Sequence, residues 1–260
     1  MNRPPSKPSE SELLLGDTEH RSGVYNEVHE HSSTGSTQQE TDCGELGRGS
    51  SDNRVNLIFQ FLASHNPNPK SELVAKNEYT FCIAVLLSAQ ATDRAVNKAT
   101  LDLFQIADSP ESMLKLGLDE LKKYIKTIGL YNSKASNIIA LSEILISQFD
   151  SKIPRARDDL EKLPGIGRKS ANVILNSLFG EDVIAVDTHV LRVSKRLGLT
   201  KSDNRLQVEQ DLLKIIPKKF YKNASDWLVL HGRYICRANS PRCSECFLRN
   251  LCFVGGNAMI

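Results

Sequence analysis

The sequence has little that ties it to a membrane or to an oxidising compartment. No hydrophobic run approaches the roughly 20 residues of a membrane-spanning helix. The longest, Phe81-Cys82-Ile83-Ala84-Val85-Leu86-Leu87, has the length of a buried core segment. Six cysteines in 260 residues are too few for a disulfide scaffold. There is no internal repeat and no sustained two-residue alternation of apolar and polar side chains, which argues against strands. Net charge is nearly absent as well, with 33 Lys and Arg against 31 Asp and Glu, or +2. Taken as an average, that value favours no partner.

The average hides a segregation. Residues 1–50 carry four cations (Arg3, Lys7, Arg21, Arg48) and nine acids, a balance of −5 that leaves +7 on the remaining 210 residues. The first 50 residues are rich in Ser, Thr, Gly, Gln and Pro, and their only apolar cluster is Leu13-Leu14-Leu15. Such a segment buries too little surface to offset its ordering entropy, so a disordered tail is expected over 1–50. Three leucines do not make a secretory signal, and the acids do not suit a mitochondrial presequence.

The body reads as helices. Val55, Ile58, Phe59 and Leu62 recur at spacings of three and four within 53–63. Ser109-Pro110-Glu111 is a helix start: a cap residue, Pro at the first helical position and an acid in the first turn. Helical periodicity also covers 118–128, 135–149, 190–197, 206–215 and 224–234. Asp158 or Asp159 is expected to cap a short helix over 160–163, and a helix over 169–179 is expected to end at Gly180. The fold class is all-α.

Cys236, Cys243, Cys246 and Cys252 follow the spacing C-x6-C-x2-C-x5-C. Four thiolates within 17 residues can wrap one soft metal centre, and spacing alone leaves Zn²⁺ and a [4Fe–4S] cluster level. Arg237, Arg242 and Arg249 lie in or beside the loops between them. They are either phosphate contacts or ordinary solvated charges. Cys82 reads as a small buried hydrophobe.

Leu163-Pro164-Gly165-Ile166-Gly167-Arg168-Lys169-Ser170-Ala171 joins two short helices. Gly165 and Gly167 permit positive φ and keep Cβ atoms away from an approaching anion, while the next helix offers its positive N-terminus. That is the logic of a helix-hairpin-helix, which holds a DNA backbone without reading sequence. Lys169 opposes the dipole of the helix it begins. It is either a phosphate contact or, with partial burial and a lowered pKa, a nucleophilic amine. Asp187, in Ala185-Val186-Asp187-Thr188-His189-Val190, is an N-cap, a catalytic carboxylate, or both.

Six motifs in this order resemble the endonuclease III family: LLSAQATD at 86–93, TIGLYNSKA at 127–135, LPGIGRKSANVIL at 163–175, AVDTHV at 185–190, HGRYIC at 231–236, and the four-cysteine spacing. The resemblance covers about 53–254 and none of the tail. It implies two helical domains with a DNA cleft between them. One is a six-helix barrel with the helix-hairpin-helix, at about 71–181. The other is an iron–sulfur domain assembled from 52–70 and 182–260. It implies a [4Fe–4S] cluster on the four cysteines, Lys169 as nucleophile, Asp187 as essential carboxylate, and Gln90 and Leu130 as residues that fill and wedge the DNA stack. His189 matches a residue near that gap.

The implied activity is that of a bifunctional DNA glycosylase and abasic-site lyase. The implied partner is double-stranded DNA containing damaged pyrimidines or abasic sites, met by a monomer in the cytoplasm or nucleoid of a bacterium. The implied lyase chemistry needs no magnesium. A monofunctional mismatch glycosylase lacks a lysine at the hairpin position, so Lys169 speaks against it. A non-catalytic cluster protein that only binds DNA would need neither Lys169 nor Asp187.

Overall fold

Residue patterning accounts for most of the helices in the computed structural model, which describes residues 51–69 and 71–256. The disordered tail expected over 1–50 lies outside the described residues. Among those described, every regular element is helical, and the all-α expectation holds. The order is α1 Ser51–His65, α2 Glu78–Leu87, α3 Asp93–Thr100, α4 Leu103–Ile106, α5 Pro110–Leu116, α6 Leu118–Ile125, α7 Tyr131–Phe149, α8 Arg157–Lys162, α9 Arg168–Phe179, α10 Thr188–Leu197, α11 Arg205–Ile215, α12 Tyr221–Tyr234 and α13 Phe253–Gly256. No described helix is long and apolar enough to cross a membrane.

Two buried cores organise these helices within one compact unit, residues 48–260. The apolar stretch at 81–87 forms α2, the spine of the first core, with every residue from Tyr79 to Leu87 buried. Asn77 and Thr80 close its start reciprocally: the Thr80 amide donates to Asn77 Oδ1 and the Asn77 amide to Thr80 Oγ1, each at 2.9 Å. Full burial of each Val, Ile, Leu or Phe contributes roughly 1.5–3 kcal/mol, so α2 is the main apolar contribution to this core. The second core gathers α1, α10, α11 and α12 around Phe59, Phe220 and Trp227, whose ring centroids lie 5.8–6.4 Å apart. The Trp227 indole donates to the Asn66 carbonyl at 2.7 Å and so ties α12 to the end of α1. The chain passes from the first core to the second between Val183 and Ile184.

Several boundaries differ from the periodicity. Ser109 caps α5 as expected, with Pro110 in its first turn, and Gly180 ends α9 in the left-handed conformation at φ 68°. Neither Asp158 nor Asp159 caps α8, however. Ala156 occupies that position with no side-chain hydrogen bond, and both acids sit in the first turn, where they still complement the dipole. Helix α6 stops at Ile125, three residues early, because the chain must turn before α7.

The hairpin between α8 and α9 treats its two glycines differently. Gly165 has φ +84°, and a Cβ there would lie 2.9 Å from Leu86 Cδ1 and 3.0 Å from Asn137 Nδ2. Gly167 corrects the expectation of positive φ. Its backbone is extended at φ −102°, ψ 177°, and a Cβ would meet no protein atom within 4 Å. Gly165 serves the fold, while Gly167 leaves the mouth of α9 open. Gly165→Ala is therefore expected to destabilise the protein by about 2 kcal/mol, and Gly167→Ala to stay within about 0.5 kcal/mol of wild type. Denaturant unfolding of the two variants side by side checks this, and equal losses would contradict the assignment.

Candidate active site

A cavity of about 80 Å³ lies between the two cores. Its wall includes Lys169 and Val173 of α9, Asp187 at the start of α10, and Ser225, Asp226, Val229, Leu230 and Arg233 of α12. Lys169 and Asp187, read separately from the sequence, thus share one cavity.

Asp187 is the N-cap of α10. Its Oδ1 accepts from the His189 and Val190 amides, both at 2.8 Å. The capping role is therefore present, and it fixes the carboxylate at the cavity wall. Lys169 is in the first turn of α9 and is exposed, without the partial burial that one of its two readings invoked. Its neighbour Arg168 points elsewhere. The Arg168 guanidinium makes a two-pronged pair with Glu209 of α11, Nε to Oε2 and Nη2 to Oε1, both at 2.9 Å. Of these two adjacent cations, Lys169 alone lines the cavity.

Gln90 and Leu130 do not line the cavity. Both are exposed, and both are non-glycine residues at left-handed φ, 56° and 60°. For Leu130 the exposure reaches 64%, unusual for leucine in an ordered turn. A single buried ammonium connects the two segments. Lys134 of α7, one turn after Leu130, donates to the Leu87 carbonyl at 2.9 Å and the Ala89 carbonyl at 2.6 Å. Burial lowers the pKa of Lys134.

His189 is half-buried against Gly232 rather than in the cavity, with Arg192 Nη2 at 3.2 Å from its Nδ1. Desolvation lowers its pKa, the Asp187 charge opposes this, and Arg192 and Arg233 add to the lowering. Arg237 is exposed. Arg242 is also exposed and pairs with Glu245 at 3.2 Å, with Arg242 on the rim of the cysteine loop.

All four cysteines, Cys236, Cys243, Cys246 and Cys252, line a second cavity of about 140 Å³. Arg196 holds the loop that encloses it, donating to the Arg237 carbonyl at 2.6 Å and the Ala238 carbonyl at 3.0 Å. Donors also approach the sulfurs: Gly255 N to Cys252 Sγ at 3.3 Å and Arg196 Nη1 to Cys236 Sγ at 3.5 Å. Burial pushes the Cys246 thiol up to about 11, and the other three sulfurs add to the rise. His231 and Arg249 also line this cavity, and His231 Nδ1 and Arg249 Nε are buried there without partners. Among the described residues, no three His, Cys, Asp or Glu side chains are grouped as a single metal ion requires. Four thiols lining one void, with donors at two of the sulfurs, form a donor set that suits a soft metal centre.

Five residues escaped the sequence reading: Lys134, Asp226, and Arg233 with its partners Asp93 and Glu72. Arg233 Nη1 donates to Asp93 Oδ2 at 2.7 Å and to Glu72 Oε2, and the Tyr234 hydroxyl meets Glu72 Oε1 at 2.7 Å. The available signal was periodicity, since Asp226, Val229, Leu230 and Arg233 form an i, i+3, i+4, i+7 stripe on α12.

A model of the HhH-GPD superfamily of base-excision DNA repair proteins matches residues 83–218. Endonuclease III of Rickettsia felis is 54% identical over 198 residues, 76% of this chain and 93% of that protein. Endonuclease III of Escherichia coli K12 is 51% identical over 195 residues, 75% of this chain and 92% of that one. A solved structure of a trapped endonuclease III–DNA covalent intermediate superposes with a TM-score of 0.76 at 43% identity, covering 82% of this chain and all of that one. A thermostable thymine-DNA glycosylase, at TM-score 0.71 and 21% identity, shares the fold. With half the chain inside the superfamily model and more than half of the aligned residues shared with the Rickettsia protein, the chain belongs to the endonuclease III family of HhH-GPD base-excision repair proteins.

Proposed function

We propose that this chain is a bifunctional DNA glycosylase and abasic-site lyase that removes oxidised or saturated pyrimidines from double-stranded DNA. The observation that carries the reading is the shared cavity, with an exposed amine at one helix start and a capped carboxylate at another. A base inside a duplex is out of reach, so the damaged nucleotide must leave the stack. Lesions that have lost aromaticity stack poorly and leave at lower cost. Gln90 fills the vacated space and Leu130 wedges between bases. Gly165 shapes the hairpin, and Gly167 lets a phosphate approach the free amides of α9. Arg237, Arg242 and His189 add contacts around this surface. The two domains are 71–181 and the combination of 52–70 with 182–260, with the DNA held between them by a monomer.

Lys169 then attacks C1′ of the sugar as a neutral amine. The C1′–N bond to lysine forms, and the bond to the base breaks with its electron pair leaving on the base. Asp187 stabilises positive charge developing on the sugar or accepts a proton as Lys169 is activated. The lysine nitrogen next passes a proton to the ring oxygen, the ring opens, and a protonated Schiff base remains. This group acidifies the C2′ protons, so loss of one of them expels the 3′ phosphate and cuts the strand. Cys236, Cys243, Cys246 and Cys252 would hold a [4Fe–4S] cluster, which when bound supplies four iron–thiolate bonds that lock the 236–252 loop.

Borohydride trapping on DNA containing thymine glycol tests the nucleophile. Wild type is expected to form a covalent adduct, Lys169→Ala to lose it by at least about 100-fold, and exposed Lys123→Ala to keep it. The reading fails if wild type gives neither adduct nor strand break. Asp187→Asn separates charge from capping, because Asn caps as well as Asp. Unfolding should stay near wild type while excision falls about 100-fold; unchanged excision would remove Asp187 from the mechanism. For the cofactor, anaerobically purified protein should contain iron and absorb visible light, and Cys246→Ala should lose both. A colourless zinc protein would overturn the cluster.

A further inference from the structure

Three segments that the proposed reading sets against DNA meet at one junction beside the first core. Gln90 follows the end of α2, and Leu130 immediately precedes α7. The hairpin closes on both helices at Gly165, where a Cβ would lie 2.9 Å from Leu86 Cδ1 and 3.0 Å from Asn137 Nδ2. Lys134 of α7 sits within this junction, between Leu130 and Asn137 in the chain, and is only 5% exposed.

Lys134 holds both exposed residues through the backbone beside them. Its amide donates to the Leu130 carbonyl at 3.0 Å, the bond that opens α7. Its ammonium donates to the Leu87 carbonyl at 2.9 Å and the Ala89 carbonyl at 2.6 Å. The bond to Leu87 is what a helix end asks for, because the last carbonyls of α2 have no partner in the helix and attract a cation. The bond to Ala89 goes further. Ala89 lies beyond α2, its carbonyl belongs to the peptide that leads into Gln90, and it takes the shorter of the two bonds. On the far side of Gln90 the Ala91 amide donates to the Ser88 carbonyl at 3.1 Å. Gln90 is thus gripped from both sides at φ 56°, while its side chain stays exposed. Water caps an exposed helix end without burying an ammonium, which is costly. The strained φ values of Gln90 and Leu130 persist because the surrounding bonds over-determine them.

We propose that Lys134 is a positioning residue for insertion into the DNA stack, holding Gln90 and Leu130 in fixed register so that amide and leucine enter the duplex together as the damaged nucleotide leaves. The inference rests on the reading of Gln90 and Leu130 as the filling and wedging residues. Extruding a nucleotide costs unpairing and unstacking energy. Inserted side chains offset that cost only if they arrive already in place. With either segment free to turn, the side chains would spread over many arrangements, and their ordering entropy would add to the barrier of the insertion step. Lys134 touches neither lesion nor sugar in this scheme. It acts only through Gln90 and Leu130.

The experiment is a mutant cycle read by single-turnover excision from a thymine-glycol duplex, with full-length proteins held below the unfolding midpoint of every variant. Lys134→Met keeps the side-chain length and removes the donors. Its rate is expected to fall about 10- to 100-fold, and that of Gln90→Ala/Leu130→Ala to fall comparably. In the triple variant the losses should not multiply. Its rate should lie within about twofold of the Gln90→Ala/Leu130→Ala rate, because Lys134 then has nothing left to position. A lysine that only supports the fold would lower the rate by the same factor in either background. That result overturns the proposal, and so does a wild-type rate for Lys134→Met. If Lys134→Met does not fold, Lys134→Gln, one bond shorter and uncharged but still a donor, enters the same cycle under the same criteria. Wild-type excision by Gln90→Ala/Leu130→Ala would instead remove the wedge reading on which the inference rests.

Discussion

The pair between Arg168 and Glu209 fixes where α9 stands, and the cavity depends on that placement. Glu209 is only 4% exposed and meets both prongs of one guanidinium. Removing Arg168 would strand the buried Glu209 carboxylate, whereas Arg168, with 40% of its side chain exposed, would fall back on solvent. The pair joins α9, which buries Ala171, Ile174 and Leu175 in the first core, to α11 of the second. Asn172, 1% exposed, reinforces the junction by accepting from Arg157 at 3.0 Å and donating to the Ile184 carbonyl at 3.0 Å. Helix α9 is thus a shared wall. Because Arg168 is turned toward Glu209, the next residue, Lys169, falls on the cavity side.

Electrostatics at the cavity follow from which carboxylates are already committed. Helix α10 needs its first amides satisfied, and Asp187 does this. Arg233 crosses to Glu72 and Asp93 and offsets part of their charge. Lys169 and Asp226 share this space with Asp187, flanked by Val85, Val173, Val229 and Leu230. The +7 of the body adds only a modest long-range attraction for a polyanion, so affinity must come from close contacts at the hairpin and the wedge.

What the sequence reveals and what it conceals divide along the same line. Local chemistry is legible: Ser109 with Pro110, Gly180, and Asp187 ahead of a helical run each announce a helix boundary, because caps obey short-range rules. The cysteine loop is legible because its four cysteines are close in sequence. Helix α3 is not, since its eight residues carry only Val96, Ala99 and Thr100 as a buried face. Asp226 and Lys134 are not legible either. The surroundings of each are set by segments 45 or more residues away, the wall with Lys169 for one and the Leu87 and Ala89 carbonyls for the other. The glycines illustrate the same limit. The letters of Gly165 and Gly167 are identical, yet one has φ +84° against Leu86 and the other is extended and open.

The strain at Gln90 and Leu130 bears on function in a way that charge does not. A left-handed backbone costs a non-glycine residue roughly 1–2 kcal/mol, and Leu130 also presents an apolar side chain to water. Lys134 compounds this by burying an ammonium to hold the Leu87 and Ala89 carbonyls. A glycine at either position would remove the strain and the side chain together. The isolated fold therefore gains nothing from Gln or Leu there. Such strain belongs where a second body arrives to use it. An exposed amide and an exposed leucine, on segments that one buried lysine ties together, are what the proposed reading asks to fill a gap and part a stack.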